Sequence, residues 1–187
     1  MDVNSLSISD PTLTAIEGLK ICKIQTGKDD AVWSSKDEVE TPFTPSSFNE
    51  GKANKHNLDI RCVGEHLHFF SELDRWAVEY IAVNYLRLFG KQLSPDKVSE
   101  MYRPYVRKTG SFDPLLRTKI TLEGLHRTRY WAMDKTDRMA PESWPTSVFK
   151  AQIRVGYLYI SGSTFGLALD CTDIQVCKEI STPVCSF

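Results

Sequence analysis

The sequence has no CxxC pair, no glycine-rich phosphate loop and no apolar run near the roughly 18 residues that a membrane span needs. Each absence excludes a class. The five cysteines, Cys22, Cys62, Cys171, Cys177 and Cys185, are odd in number and lack metal-ligand spacing. Neither a disulfide framework nor a zinc knuckle is indicated, so an intracellular, reducing compartment is expected, host cytoplasm or nucleus if the chain is viral. Without GxGxxG or GxxxxGKS/T, no common nucleotide cradle is present. The opening "MDVNSLSISD" lacks a basic start and an apolar stretch, which predicts no ordinary secretory signal.

Catalytic patterns are scarce too. "GSTFG" (162–166) has two residues between Ser163 and Gly166 and lies in a hairpin, so it is not a nucleophile elbow. Ser94 and Lys97 stand at Ser-x-x-Lys spacing, but the pair reads as a helix cap followed by a surface lysine. His66 and His68 would share a face on a strand; on the helix predicted here they diverge. His56 and His126 have no partner nearby, and Asp170 with Asp173 makes no acid–base constellation. The expectation is a protein without metal, cofactor or catalysis. An enzyme with dispersed catalytic residues is the remote alternative.

Net charge is nearly absent, at −1, but it is unevenly spread. Residues 101–160 hold eleven Lys and Arg against five Asp and Glu, a net +6; the rest holds twelve against nineteen, a net −7. A basic third inside an acidic remainder is a local field that an anionic polymer would feel. The 187 residues suffice for one domain with a substantial core, so a single unit over 1–187 is expected.

Periodicity divides the chain. Residues 14–27 and 57–64 read as strands. Residues 29–55, with two prolines and no sustained period, read as a long loop excursion. From residue 65 to 90, Phe69, Leu73, Trp76, Tyr80 and Val83 recur at helical spacing beside Phe70, Ala77, Ile81 and Leu88, and Gly90 suits a stop. "SPDKVSEMYRP" predicts a short second helix, with Ser94 as cap and Pro95 in its first position. Beyond Pro104 the pattern alternates. Strands are expected over 115–124, 127–134, 147–160 and 165–176, the last two as a hairpin turning at Ser161–Thr164. Leu116, Thr118, Ile120 and Leu122 would share one face of the first. The fold class expected is α+β, mostly β: an antiparallel sheet or small barrel with a helical pair inserted before the basic strands.

The basic third is also aromatic, with Tyr102, Tyr105, Phe112, Tyr130, Trp131, Trp144, Phe149, Tyr157 and Tyr159. Cations that track phosphates, interleaved with rings that stack on unpaired bases, are what a groove for single-stranded nucleic acid requires. Trp76 and Tyr80 belong to the helix stripe and read as core. One of Tyr130 and Trp131 must face out; the alternation alone does not say which. Tyr157 and Tyr159 share parity with Ile153 and Val155, opposite Arg154, Gly156, Leu158 and Ile160. That favours partial burial over an exposed stacking platform.

"FGKQLSPDKVSEMYRPYV" (89–106) and "FKAQIRVGYLYISGSTFGLALDCTDIQV" (149–176) together resemble the OB-fold single-stranded-DNA-binding proteins of large double-stranded DNA viruses and some phages. The shared phrases are the FGK-L helix end, the MYRP-V segment and the final hairpin with Phe165 and Gly166. The resemblance covers residues 70–176. It implies an OB-like barrel that protects or anneals strands in viral DNA replication, recombination or repair, without catalysis. After Cys177 the chain departs from the acidic tail frequent in that group.

The candidate phosphate contacts are Arg103, Arg107, Lys108, Arg117, Lys119, Arg127, Arg129, Lys135 and Arg154. The candidate stacking rings are Tyr130, Trp131, Tyr157 and Tyr159. Candidate partners are single-stranded DNA, replication or recombination proteins and further copies of the chain, with no membrane. The rival reading is a viral structural or protein-interaction module whose basic residues are ordinary solvated faces.

Overall fold

The computed structural model describes residues 2–47, 53–89 and 93–179. In chain order the elements are β1 (Leu6–Ile8), β2 (Thr12–Leu13), β3 (Leu19–Thr26), β4 (Asp29–Ser34), β5 (Val39–Glu40), β6 (Lys55–Arg61), α1 (Gly64–Phe89), α2 (Pro95–Met101), β7 (Val106–Arg107), β8 (Leu115–Thr121), β9 (Arg129–Trp131), β10 (Ser147–Ser161) and β11 (Thr164–Glu179). The strands form one curled half-barrel sheet in the order β1-β3-β4-β10-β11-β8-β6, an OB-like α+β fold. β2, β5, β7 and β9 pair laterally with β3, β10, β8 and β11.

The fifteen residues of β10 organise the sheet. One flank pairs with β11 throughout. The other meets β5 at Val148–Phe149, β4 at Gln152–Val155 and β3 at Tyr157–Ser161. A strand that takes three partners in turn along one edge has to curl. The hairpin to β11 closes at Ser161↔Thr164 through Gly162, whose φ of +56° suits a tight two-residue turn.

α1 lies against the core face. Its buried residues, Phe70, Leu73, Ala77, Ile81, Tyr85 and Leu88, are spaced three or four apart. They join Leu58, Ile60, Phe149, Ile153, Val155, Leu158 and Phe165 in one cluster. Each buried Leu, Ile, Val or Phe among them contributes roughly 1.5–3 kcal/mol. Trp76 and Tyr80, expected in the core, are half-buried and pack at its margin; Val83 is 84% exposed and Tyr85 takes the buried place instead. His66 sits edge-on to Trp33 while His68 points to solvent near Glu72. Among the described residues no His, Cys, Asp or Glu cluster has metal-binding geometry. α2 starts as expected, with the Ser94 hydroxyl accepting from the Lys97 N–H and Pro95 at its first position. Gly90 lies outside the described residues.

The expected excursion over 29–55 is corrected by two strands within it. Gly27, at φ +63°, turns β3 into β4, and β4 buries Ala31 and packs Trp33 against Phe70 at 4.8 Å. The strand opens on two exposed aspartates, Asp29 and Asp30, one on each face, which hid the alternation. The strand expected over 14–27 begins only at Leu19, after a turn at Gly18. The strand expected over 127–134 is confined to Arg129–Trp131. In β8, Leu116, Thr118 and Ile120 are buried, but Leu122 lies beyond the strand and is exposed.

The largest correction concerns β10. Val155 pairs with Leu169 and Tyr157 with Ala168, so Gly156 is an extra residue, a β-bulge. The inner positions run Phe149, Ala151, Ile153 and Val155, then shift to Leu158 and Ile160. Tyr157 and Tyr159 therefore leave the face of Ile153 and Val155 and join that of Arg154. β11 makes the matching shift at Thr172, from Phe165, Leu167, Leu169 and Cys171 inward to Ile174 and Val176 inward.

Candidate nucleic-acid interface

The outer face of the sheet, away from α1, collects charges and rings from strands distant in the chain. Paired residues of antiparallel strands project to the same side. One row runs Lys23, Tyr157 and Ala168; the next runs Ile21, Tyr159 and Gly166. Below them Arg154 pairs with Asp170, Asp170 with Lys119 on β8, and Lys119 with Asn57 on β6.

Tyr159 lies flat on its neighbour strand. A Cβ added to Gly166 would stand 2.7 Å from the Tyr159 hydroxyl oxygen, so only glycine leaves room for the ring. Burial raises the Tyr159 hydroxyl above its usual pKa, while Arg103 and Arg107 pull it down and Tyr105 hydrogen-bonds to it. Tyr105 is raised in turn, by burial first and then by Tyr159 and Tyr157. Tyr105, Tyr157 and Tyr159 thus form one cluster flanked by Arg103 and Arg107. Tyr105 was not among the candidate stacking residues; its signal was the alternation Tyr105, Val106, Arg107 that puts tyrosine and arginine on one side.

The segment carrying Tyr105 is tied to α1. The Tyr102 hydroxyl donates to Asp74, and the Tyr105 and Val106 N–H groups lie against the same carboxylate. Burial pushes the Asp74 pKa up, and these donors offset that only in part.

β9 divides its two rings. Tyr130 turns in, edge-on to Trp144, and burial pushes its hydroxyl up to about 12. Trp131 turns out; its Nε1 donates to Asp173 at 2.9 Å and the Arg129 guanidinium lies 5.6 Å from its ring centroid. Of the four candidate rings, Trp131, Tyr157 and Tyr159 share the outer face, and Tyr130 does not.

The candidate cations fall into two groups. Arg117 holds Asp59 through two bonds of 2.8 and 2.7 Å, Arg129 holds Asp173 at 2.8 Å, and Arg154 lies between Asp170 at 3.3 Å and Asp30 at 3.6 Å. Lys55 adds a second cation to Asp170 at 2.8 Å. Arg103, Arg107, Lys108, Lys119, Arg127 and Lys135 have no carboxylate partner among the described residues, and all six are exposed. Lys135, at φ +65°, sits in the turn after β9, apart from the sheet face. Arg127, expected at the start of the strand over 127–134, precedes β9 in a loop and shares no strand face with Arg129.

An open cleft lies at each end of this face. One, of about 520 Å³, is lined by His126, Arg127, Arg129, Trp131 and Arg154. The other, of about 820 Å³, is lined by Phe43, Asp59, Arg61, Arg107, Phe112 and Arg117. Between them run Lys119 and the Lys55–Asp170–Arg154 pairs. The result is a track of cations with rings at intervals, on strands that α1 supports from behind.

No family model matches the chain, and no curated protein matches it in sequence. Among solved structures it is similar to gp2.5, a single-stranded DNA binding protein encoded by bacteriophage T7, at 11% identity and a TM-score of 0.49, over 83% of this chain and 96% of that one. It is also similar to the single-stranded DNA-binding protein from bacteriophage Enc34 in complex with ssDNA, at 9% identity and a TM-score of 0.43, over 94% and 98%.

Proposed function

We propose that the chain, as one nucleic-acid-binding unit, binds single-stranded DNA along the outer sheet face, without catalysis. The observation that carries this reading is the bulge at Gly156. With it, Tyr157 and Tyr159 lie on the same side as Lys119, Arg154 and Trp131, which supports one surface that offers both rings for stacking and cations for phosphates. Adjacent outward residues of a strand are about 7 Å apart, a span that successive stretched bases can cover. Rings supply roughly 1–3 kcal/mol per base, without sequence preference. Such binding would protect or anneal strands in viral DNA replication, recombination or repair, with replication proteins or further copies of the chain as partners.

The test is a titration with a fluorescent poly-pyrimidine oligonucleotide at several salt concentrations. Each phosphate contacted contributes roughly −0.7 to the log–log slope, so Arg107, Lys119 and Arg127 alone predict a slope of roughly −2. Preference for duplex over single strand, or no binding at low salt, overturns the reading.

A further inference from the structure

The larger cleft, at the β7–β8 end of the face, contains two exposed phenylalanines that the candidate interface does not use. Phe43 is 57% exposed and Phe112 is 76% exposed. Large exposed rings gathered in one concavity mark a binding site more often than chance exposure does. Both are held on fixed supports. Phe112 closes a turn, its N–H donating to the Thr109 carbonyl at 3.2 Å across Gly110, whose φ is +57°. The Phe43 N–H donates to the Thr41 hydroxyl, which donates to the Phe43 carbonyl at 2.9 Å; Thr41 itself is 1% exposed. The rings are therefore presented to solvent by closed backbone turns.

The chemistry around them suits one class of ligand. Arg107 reaches the cleft without a carboxylate partner among the described residues, and it also flanks the Tyr105–Tyr159 cluster. Thr109 and Ser111 add hydroxyls to the wall. Rings for a flat apolar face, a free cation for a phosphate and hydroxyls for polar edges are the needs of one unstacked nucleotide. The cleft's roughly 820 Å³ is within the about 300–1,000 Å³ range of small-ligand sites, ample for a base and its sugar.

We infer that this cleft is a terminal nucleotide subsite, in which Phe43 and Phe112 hold an unpaired base and Arg107 holds its phosphate, where a strand leaves the sheet face. The inference rests on the single-stranded-DNA reading and extends it by a site that the candidate residues did not include. Because the subsite lies at one end, it matters only to strands long enough to reach it. A short oligonucleotide seated on the Trp131 side binds independently of it.

The experiment compares wild type with the double variant Phe43→Ala/Phe112→Ala, using labelled oligothymidylates of increasing length. Stacking of about 1–3 kcal/mol corresponds to about 5- to 150-fold in affinity. The expected result is a loss of at least about fivefold for the longest oligonucleotides, none for the shortest that bind, and an unchanged melting temperature. Wild-type binding that the double variant matches at every length overturns the subsite and leaves the rings to a protein partner, with the DNA reading intact. A loss equal at all lengths overturns the terminal placement. A wild type that binds no oligonucleotide overturns the DNA reading and the subsite with it.

Discussion

β9 and β10 each carry two aromatics near the basic face, and they obey alternation differently. In β9 the rule holds over Tyr130 and Trp131: the first meets Trp144 in the core and the second meets Arg129 and Asp173 outside. In β10 the rule holds to Val155 and then inverts, because Gly156 has no partner on β11. Two tyrosines that simple parity assigns to the core thereby reach the outer face. Facing is counted from the last bulge, and a single unpaired residue reverses everything after it.

The largest expected effect breaks β9 apart. Tyr130→Ala removes a ring packed among Trp144 and the core margin and should cost about 3 kcal/mol of stability, the lower end for a core aromatic. The folded fraction should bind oligonucleotide normally. Trp131→Ala should do the reverse: a loss of about 1–3 kcal/mol in binding with a small change in melting. Thermal melting and fluorescence titration of both variants decide it. If the two behave alike, β9 does not separate core from interface.

The next effect tests the bulge. Tyr157→Ala and Tyr159→Ala should each weaken binding by about 1–3 kcal/mol and melt close to wild type, since both rings are outside the core cluster. Gly166→Ala should mimic Tyr159→Ala in binding, because the new methyl occupies the place of the Tyr159 ring and displaces it. If both tyrosine variants melt far below wild type, the rings are structural. If Gly166→Ala binds as wild type does, Tyr159 does not need its flat seat.

What could be read from the sequence follows from range. α1, the α2 cap and β8 were legible because their signals are local: a 3.6-residue stripe, Ser94 before Pro95, and alternation over Leu116, Thr118 and Ile120. β4 was not, because the burial of Ala31 and the packing of half-buried Trp33 depend on pairing with β10, more than a hundred residues away. Trp131, Tyr157, Tyr159 and the unpaired cations were named from composition and spacing. Their arrangement was not legible, since Asp59, Asp170 and Asp173, which neutralise Arg117, Arg154 and Arg129, come from other strands. Phe43 was invisible for the same reason: it meets Arg107 only through the fold.

A smaller effect separates unpaired cations on the track from one that lies off it. Arg127→Ala should flatten the salt slope by roughly 0.7, the share of one phosphate contact. Lys135→Ala, in a turn away from the face, should leave the slope unchanged. Equal slopes for Arg127→Ala and wild type would place Arg127 with the solvated surface.

The smallest effects come from two carboxylates that fix aromatic rings on this face, one from behind it and one within it. Asp74 ties down the segment bearing Tyr105, and Asp173 accepts from the Trp131 indole. Burial raises the Asp74 pKa. Its folded form prefers the proton, so this contribution to stability is full below the unfolded value of about 3.9 and fades as pH rises through the folded value. Asp173 is opposite in sign. Burial works to raise it, but hydrogen bonds from Arg129, Trp131 and Thr172 and the Arg129 charge hold it below the usual range. Its contribution is full above about 3.9 and is lost as pH falls through the lowered value. Melting temperatures of wild type, Asp74→Asn and Asp173→Asn from about pH 2 to 7 separate the two. Relative to wild type, Asp74→Asn should gain as pH rises past 4, because it removes a group that ionises at a cost. Asp173→Asn should lose instead as pH rises toward about 4 and then run level with wild type, because it removes a group that ionises to advantage. Parallel curves for all three would show that neither carboxylate differs between folded and unfolded chain, and that the rings they touch are held by packing alone.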